Sequence, residues 1–398
     1  MKKVELLAPA KDLGKALIAL RYGADAVYVG GLEYSLRSRA SNFTLEDIKT
    51  LVDFAHYYRK KVYVTVNMVF HDDDLKGIVD YLKTLEMMRV DAVIIESLGL
   101  MALIKKFAPK LECHLSTQLS TTNSLAVEEL SKWGADRIVL AREVDMLSIE
   151  VIAQRCKTPL EVFIHGGMCA NYSGRCTLSN RMTNRDANRG GCAHSCRWNY
   201  HVYHGTELLS KDDLPFTMSS YDLRATPYIE RMIKAGVASL KIEGRMKSDH
   251  YIAQVTRTYR KMIDEIEMGG HLDEKRLAYY NSELDKAENR PSDTGFLGSS
   301  KASELFGATQ SFVSHEYVAM VKDFNLSNGY ALVEVRNKFS KGDTLEVFGP
   351  DQDNEQFIVE DIFDEDGTIE VANRPKALIW IKVPFLVKPY YMLRKVAL

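Results

Sequence analysis

Short, nearly continuous apolar runs recur along the first two thirds of the chain, and most are followed by a stretch of helical periodicity. Eight stand out: "VELLAPA" at Val4, "DAVYVGG" at Asp25, "KVYVTVN" at Lys61, "DAVIIES" at Asp91, "ECHLSTQ" at Glu112, "DRIVLAR" at Asp136, "LEVFIHGG" at Leu160 and "ASLKIEGR" at Ala238. Rich in Val and Ile and lacking strict alternation, they have the pattern of parallel strands covered on both faces. Stretches such as "TLEDIKTLVDFAHYYRK" lie between them, with Thr44 as N-cap and Glu46 and Asp47 in the first turn. Eight strand–helix units of about 25 to 35 residues predict an α/β fold, a (β/α)8 TIM-like barrel over residues 1–270. An open doubly wound sheet is the alternative. No GxGxxG follows the first strand, which weighs against its dinucleotide-binding version.

The pattern breaks once. Roughly 70 residues separate the seventh strand from the eighth, where a short loop and helix suffice. Residues 165–200 fill the first half of this insertion, and "YDLRATPYIERMIKAG" reads as the displaced helix. A polar stretch over 271–310, including "NSELDKAENRPSDTGFLGSS", reads as a linker with helical pieces. From about Glu316 short alternating runs such as "YALVEVRNKF" and "DTLEVFGP" predict a small antiparallel β-barrel or sandwich domain over 311–398.

The insertion "HGGMCANYSGRCTLSNRMTNRDANRGGCAHSCRWNY" holds four of the six cysteines, spaced Cys169-x6-Cys176-x15-Cys192-x3-Cys196. Nothing in the sequence resembles a signal peptide, and no stretch nears the ~20 apolar residues of a membrane span, so a cytoplasmic location is expected. In reducing cytosol clustered thiols bind metal or do redox work more often than they form disulfides. The loop's many Gly and Asn residues suit a backbone wrapped around a compact object. Paired CxxC knuckles, the usual mark of structural zinc, are absent. A [4Fe–4S] cluster tolerates these gaps, while zinc and a loop of incidental thiols remain the alternatives. No CxxxCxxC radical motif occurs. Cys113 and Cys156 fit buried thiol packing.

The cysteine segment leaves the C-terminal end of the seventh strand, the face where barrels of this class do chemistry. Polar residues close other strands there: Asn67, Glu96, Ser116, Thr117, Gln118, Arg142, Glu143, His165, Glu243 and Arg245. His165, Glu143 and Glu243 are the candidates for moving protons. Asn67, Gln118, Arg142 and Arg245 are candidates for holding substrate. The loop arginines Arg175, Arg181, Arg185, Arg189 and Arg197, joined by Arg37 and Arg39, suit binding a carboxylate or phosphate; neutralising a thiolate cluster is an equal alternative. Tyr172, Trp198 and Tyr200 could stack on a base or pack a lid. Net charge is −2, so global charge gives nucleic-acid binding no support. No HExxH, GxSxG or phosphate loop is present.

The segment "EVFIHGGMCANYSGRCTLS", from Glu161 to Ser179, resembles the signature of the peptidase U32 family, Glu-x-Phe-x-x-Gly-small-aliphatic-Cys-x4-Gly-x-Cys-x-aliphatic-Ser. Gly167 stands where that family has Ser or Ala. "ELLAPA", "GADAVYVGG", "HLSTQ", "VLARE", "RDANRGGCAHSCRWNY" and "SLKIEGRMKS" extend the likeness over the barrel, and "VEVRNKFSKGDTLEVFGP" extends it into the C-terminal domain. The resemblance implies an oxygen-independent iron–sulfur hydroxylase of RNA. For a chain of this length it implies 5-hydroxyuridine formation at the tRNA wobble position with prephenate, a dicarboxylate that would give the arginines a ligand. It also implies cluster ligation by Cys169, Cys176 and Cys192. Some relatives take a fourth cysteine from the helix after "KIEGR", which has none here, so Cys196 is the default fourth. A partner protein of the same family is a further implication. The competing reading is a U32-type peptidase of collagenase-like activity, and a zinc-stabilised binding module is a third.

Overall fold

In this computed structural model, residues 3–36, 42–210, 216–287, 290–298, 304–306 and 314–396 are described. Eight parallel strands form the barrel: β1 Glu5–Pro9, β2 Ala26–Gly30, β3 Lys61–Val66, β4 Ala92–Ile95, β5 Glu112–Leu115, β6 Arg137–Val139, β7 Leu160–Gly166 and β8 Ser239–Ile242. Each pairs with the next, and β8 pairs with both β7 and β1, so the ring closes. All eight expected strands are present, and the open-sheet alternative falls with the closure.

Strand alternation sorts the side chains. Val27, Val29, Val62, Val64 and Val66 pack outward among the helices, while Leu7, Tyr28, Tyr63, Ala92 and Ile94 form a separate cluster inside the ring. The inward positions of the N-terminal layer also hold charge. Arg137 Nη1 donates to Glu5 Oε1 at 2.6 Å and to Glu161 Oε2 at 3.1 Å, and Lys241 Nζ donates to Glu161 Oε1 at 2.7 Å.

The insertion after β7 is mostly short 3-10 turns, at Tyr172–Gly174, Ala187–Arg189 and Ser195–Arg197, with one six-residue helix at Leu178–Thr183. The stretch expected as the displaced helix divides. Asp222–Arg224 is a strand running antiparallel to the end of β7, and only Ile229–Ala235 is α-helical. Pro227 explains the division: it opens a turn and disfavours helical backbone just before it.

Of the expected linker, residues 271–287 fold onto the barrel. Asp273 caps a helix over Glu274–Asp285, which packs on the long helix Asp249–Glu267, and Gln254 Nε2 donates to Glu283 O at 2.8 Å. Ser292–Asp293 then pairs with Asp222–Arg224. The C-terminal region is an eight-stranded antiparallel sheet with its own core, including Val318, Val333, Phe339, Leu345 and Ile381. It docks on the barrel through polar contacts: Arg394, fully buried, donates to Gln254 Oε1 at 3.0 Å and pairs with Glu346, and Tyr22 OH donates to Tyr390 O at 2.8 Å. Among the described residues no helix is long and apolar enough to cross a membrane.

Candidate active site at the cysteine loop

The loop is held by side chains that replace regular structure. Asn188 donates to Cys176 O at 2.9 Å and accepts from Cys176 N–H at 3.3 Å. Ser179 Oγ donates toward Arg185 O at 2.9 Å and accepts from Ala193 N–H at 3.0 Å, tying three turns together. The Ser179 N–H points at the Cys176 sulfur at 3.5 Å. Thr217 Oγ1 donates to Cys196 O at 3.1 Å. One outer edge is clamped to the barrel by Arg189, which pairs with Asp74 and donates to Val69 O at 2.8 Å, while Val69 N–H donates to Asn188 O at 2.9 Å. This clamp was not expected from the sequence, where Arg189 stood among the anion-binding arginines.

Among the described residues no three His, Cys, Asp or Glu side chains converge on a single-ion site. The four loop thiols are nevertheless electrostatic neighbours. Burial pushes the Cys169 thiol up, an Asn171 N–H and the Arg142 charge oppose this, and Cys176 and Cys192 push it further up. The Cys196 thiol is raised by burial, then by Cys169, against Arg197, and again by Cys192 and Cys176. Four soft donors in one loop are a ligand set suited to zinc or an iron–sulfur cluster. The remaining cysteines stand apart: burial pushes Cys113 up to about 12, and Cys156 is also raised by burial.

The proton-transfer candidates meet different fates. His165 is turned away from the mouth. A bulge in β7 pairs Lys241 with Phe163 but Ile242 with His165, so the inward alternation slips by one residue. His165 is 2% exposed and lies against Tyr251 and Tyr259 of the long helix, its Nδ1 3.2 Å from Tyr259 OH. The Glu143 carboxylate accepts from Ser173 N–H at 2.7 Å and Ser173 Oγ at 3.3 Å, anchoring a turn at φ +52°. Glu243 is at the loop: its Oε2 accepts from Gly167 N–H at 3.2 Å. Gly166, at φ +102°, must be glycine, since a Cβ there would meet Glu243 O at 2.4 Å. At Gly167 a Cβ would lie 3.2 Å from Glu243 Oε2, with Arg290 and Arg197 nearby, which is tight but tolerable for the small residues of the family signature. Arg290, from beyond the barrel helices, pairs with Asp222 and donates to Ser219 Oγ at 2.8 Å.

The substrate candidates divide similarly. Asn67 Nδ2 donates to Gln118 Oε1 at 2.8 Å, and Ser116 Oγ donates to the same oxygen at 3.0 Å, forming one amide pair at the mouth. Arg245 is buried and donates to Ser35 Oγ at 3.2 Å and Asn42 Oδ1 at 2.8 Å, bracing the loop after β2. The Arg142 guanidinium lies 4.1 Å above the Phe163 ring. Its buried Nε has no hydrogen-bond partner among the described residues. Arg175 and Arg185 are exposed, and Arg175 opposes the burial that raises the Glu96 carboxyl. Tyr172 and Trp198 are 55% and 41% exposed. Arg37 and Arg39 lie outside the described residues.

Fold and site together define a TIM-barrel protein whose C-terminal mouth is roofed by a four-thiol loop. The chain belongs to peptidase family U32: the model of that family matches residues 11–306, and the model of the U32 C-terminal domain matches residues 313–394. It is 42% identical over 404 residues to "tRNA hydroxylation protein P1" of Bacillus subtilis, covering 99% of this chain and 95% of that one. It is 33% identical to "tRNA hydroxylation protein P" of Escherichia coli, with 96% and 94% covered. The "23S rRNA 5-hydroxycytidine C2501 synthase" of Escherichia coli is 40% identical over 265 residues, 66% of this chain and 40% of that protein.

Proposed function

We propose that this protein is an RNA-modifying enzyme that hydroxylates tRNA, with Cys169, Cys176, Cys192 and Cys196 holding a [4Fe–4S] cluster. The observation that carries this reading is the gathering of four thiols in the loop that follows β7, in a chain whose full-length relatives are named for tRNA hydroxylation. The spacing Cys169-x6-Cys176-x15-Cys192-x3-Cys196 lacks the paired CxxC knuckles of structural zinc and is compatible with a polynuclear cluster. When bound, such a cluster would supply electron-transfer chemistry at the mouth.

The side chains around it have definable tasks. Arg142, fixed over Phe163 beside Cys169, offers a cation to an anionic co-substrate. The Asn67–Gln118 pair presents amide edges suited to a splayed-out base. Glu96, its carboxyl raised by burial, and Glu243, which accepts from Gly167 N–H at the start of the cysteine loop, are the acids placed to hold or move a proton. The finer reading, C5 hydroxylation of the wobble uridine with prephenate, rests on the family resemblance. Replacing C–H by C–OH is a two-electron oxidation, so a co-substrate must accept two electrons, the oxygen coming from that co-substrate or from water.

The peptidase reading lacks a nucleophile among the cysteines. A catalytic thiol needs a lowered pKa, whereas Cys113 and Cys156 are raised and the other four are assigned here to the cluster. The deciding experiment pairs iron and acid-labile sulfide analysis of anaerobically purified protein with nucleoside mass spectrometry of tRNA from a deletion strain. Iron and sulfide near four each per chain, with a hydroxylated nucleoside lost on deletion and restored by the gene, is the expected result. One zinc and no iron, or unchanged tRNA, would sink it.

A further inference from the structure

A second site lies at the other end of the barrel. Helices of this fold run antiparallel to the strands, so their C-terminal ends sit at the face opposite the cysteine loop. There the ends of helices Leu13–Arg21 and Leu45–Tyr57 meet the helix Asp249–Glu267 and the C-terminal sheet around a cavity of about 750 Å³. That is room for a nucleotide, in the range typical of small-molecule sites.

The lining combines flat rings with positive charge. The Arg21 guanidinium lies 4.3 Å from the Tyr390 ring centroid and 5.3 Å from that of Phe54. Phe54 packs 4.9 Å from Tyr58, and Tyr58 packs 4.9 Å from Tyr57. Aromatic residues normally bury, yet Tyr58 is 53% exposed and Tyr57 79%. Tyr390 holds φ +73°, an uncommon conformation for a bulky residue, fixed by its N–H to Val321 O at 2.8 Å and by Tyr22 OH on its carbonyl. Six cations line the cavity, Arg21, Lys60, Arg257, Arg260, Lys261 and Lys388, against two acids, Asp264 and Asp351. Five are paired: Lys60 and Arg260 with Asp25 at 3.5 and 2.9 Å, Arg257 with Glu283 at 3.8 Å, Lys261 with Asp353 at 2.9 Å, and Lys388 with Asp351. Among the described residues no carboxylate pairs with Arg21. It is a planar cation already flanked by rings, with its charge unanswered.

We infer that this cleft binds a nucleotide of the RNA substrate remote from the modified base. A base stacks on the Tyr58 and Arg21 layer, and its phosphate is met by Arg21. Stacking platforms beside cations grip single-stranded RNA without reading its sequence, because every base has a π-face and every linkage a charge. The inference rests on the RNA reading above but concerns a different surface, and it assigns the junction of the two domains a role in substrate capture.

The test uses the full-length protein and unmodified tRNA, with affinity measured by fluorescence anisotropy across a salt series. Arg21→Glu and Tyr58→Ala are each expected to weaken binding roughly 5-fold or more. Arg21→Glu should also flatten the salt slope by about one charge, and the kinetic loss should fall on KM rather than kcat. Lys106→Glu, on the helix Leu98–Phe107, is the control reversal. Wild-type affinity in both folded cleft variants overturns the inference. A change of oligomeric state with tRNA affinity intact also overturns it, making the cleft a contact between copies. tRNA binding that depends on Arg21 and Tyr58, in a protein that hydroxylates nothing, keeps the cleft and removes the catalytic reading. No tRNA binding by the wild type removes both.

Discussion

The two ends of the barrel interior treat buried charge in opposite ways. In the N-terminal layer the charges answer one another, although Arg137 Nε and His114 Nδ1 lack hydrogen-bond partners among the described residues. Glu161 would be raised by burial, but Lys241 and Arg137 outweigh this and hold it well below the usual carboxylate range. Tyr63 OH and Ser239 Oγ complete Glu5, at 2.5 and 2.8 Å. At the mouth the corresponding groups are left incomplete. The Arg142 Nε and the Ser195 Oγ are buried and lack partners among the described residues, and the Glu96 carboxyl is raised. Burying a polar group costs the same at either end. What separates the ends is charge: the buried Glu161 carboxyl is lowered by its cations, while the Glu96 carboxyl at the mouth is raised by burial.

Four changes break or sharpen this contrast. Cys176→Ser is expected to have the largest effect, abolishing the iron and sulfide content and the tRNA hydroxylation together, while Cys113→Ser leaves the metal content unchanged. Retained iron with lost activity would detach the thiol from the cluster. Glu161→Gln comes next, in the self-neutralised layer: it strands Lys241 in the interior, leaves Arg137 with Glu5 alone, and should cost about 3–5 kcal/mol in denaturant unfolding. An unchanged midpoint would show that the layer is not held by its charges.

Arg142→Gln, at the incomplete end, should raise the KM for the anionic co-substrate roughly 10- to 100-fold with the metal content and unfolding midpoint unchanged. A stability loss instead would make Arg142 structural. The smallest effect concerns the clamp under the cysteine loop. The Asp74 carboxyl is held down to about 2, chiefly by its hydrogen bond from Arg189. A depressed carboxyl contributes stability above its ordinary value and loses it as pH falls from near 4 toward 2. Asp74→Asn should therefore remove about 1 kcal/mol of local protection at neutral pH and flatten its acid dependence, read by hydrogen exchange over residues 174–190.

Parallel strands buried on both faces must be continuously apolar, so the eight barrel strands were legible in the sequence. The cysteine loop was legible by composition, because a long irregular segment needs something to organise it. The charged layer left a trace that went unread as a unit: Glu5, Glu161 and Lys241 interrupt otherwise apolar runs. Nothing local marks Asp74 as the partner of Arg189, since 115 residues separate them. The same holds for Arg290, which reaches the loop from beyond the last barrel helix.

The sequence by itself determined the barrel, the segment that interrupts it and the residue types able to bind a cluster, because periodicity, composition and spacing are properties of neighbours along the chain. Tertiary structure alone decided which polar residues serve the mouth. One extra residue in β7 turns His165 toward Tyr259, and a left-handed turn at Ser173 takes up the Glu143 carboxylate. The choice depends on register and on partners distant in sequence, and a side chain's position in a strand does not encode them.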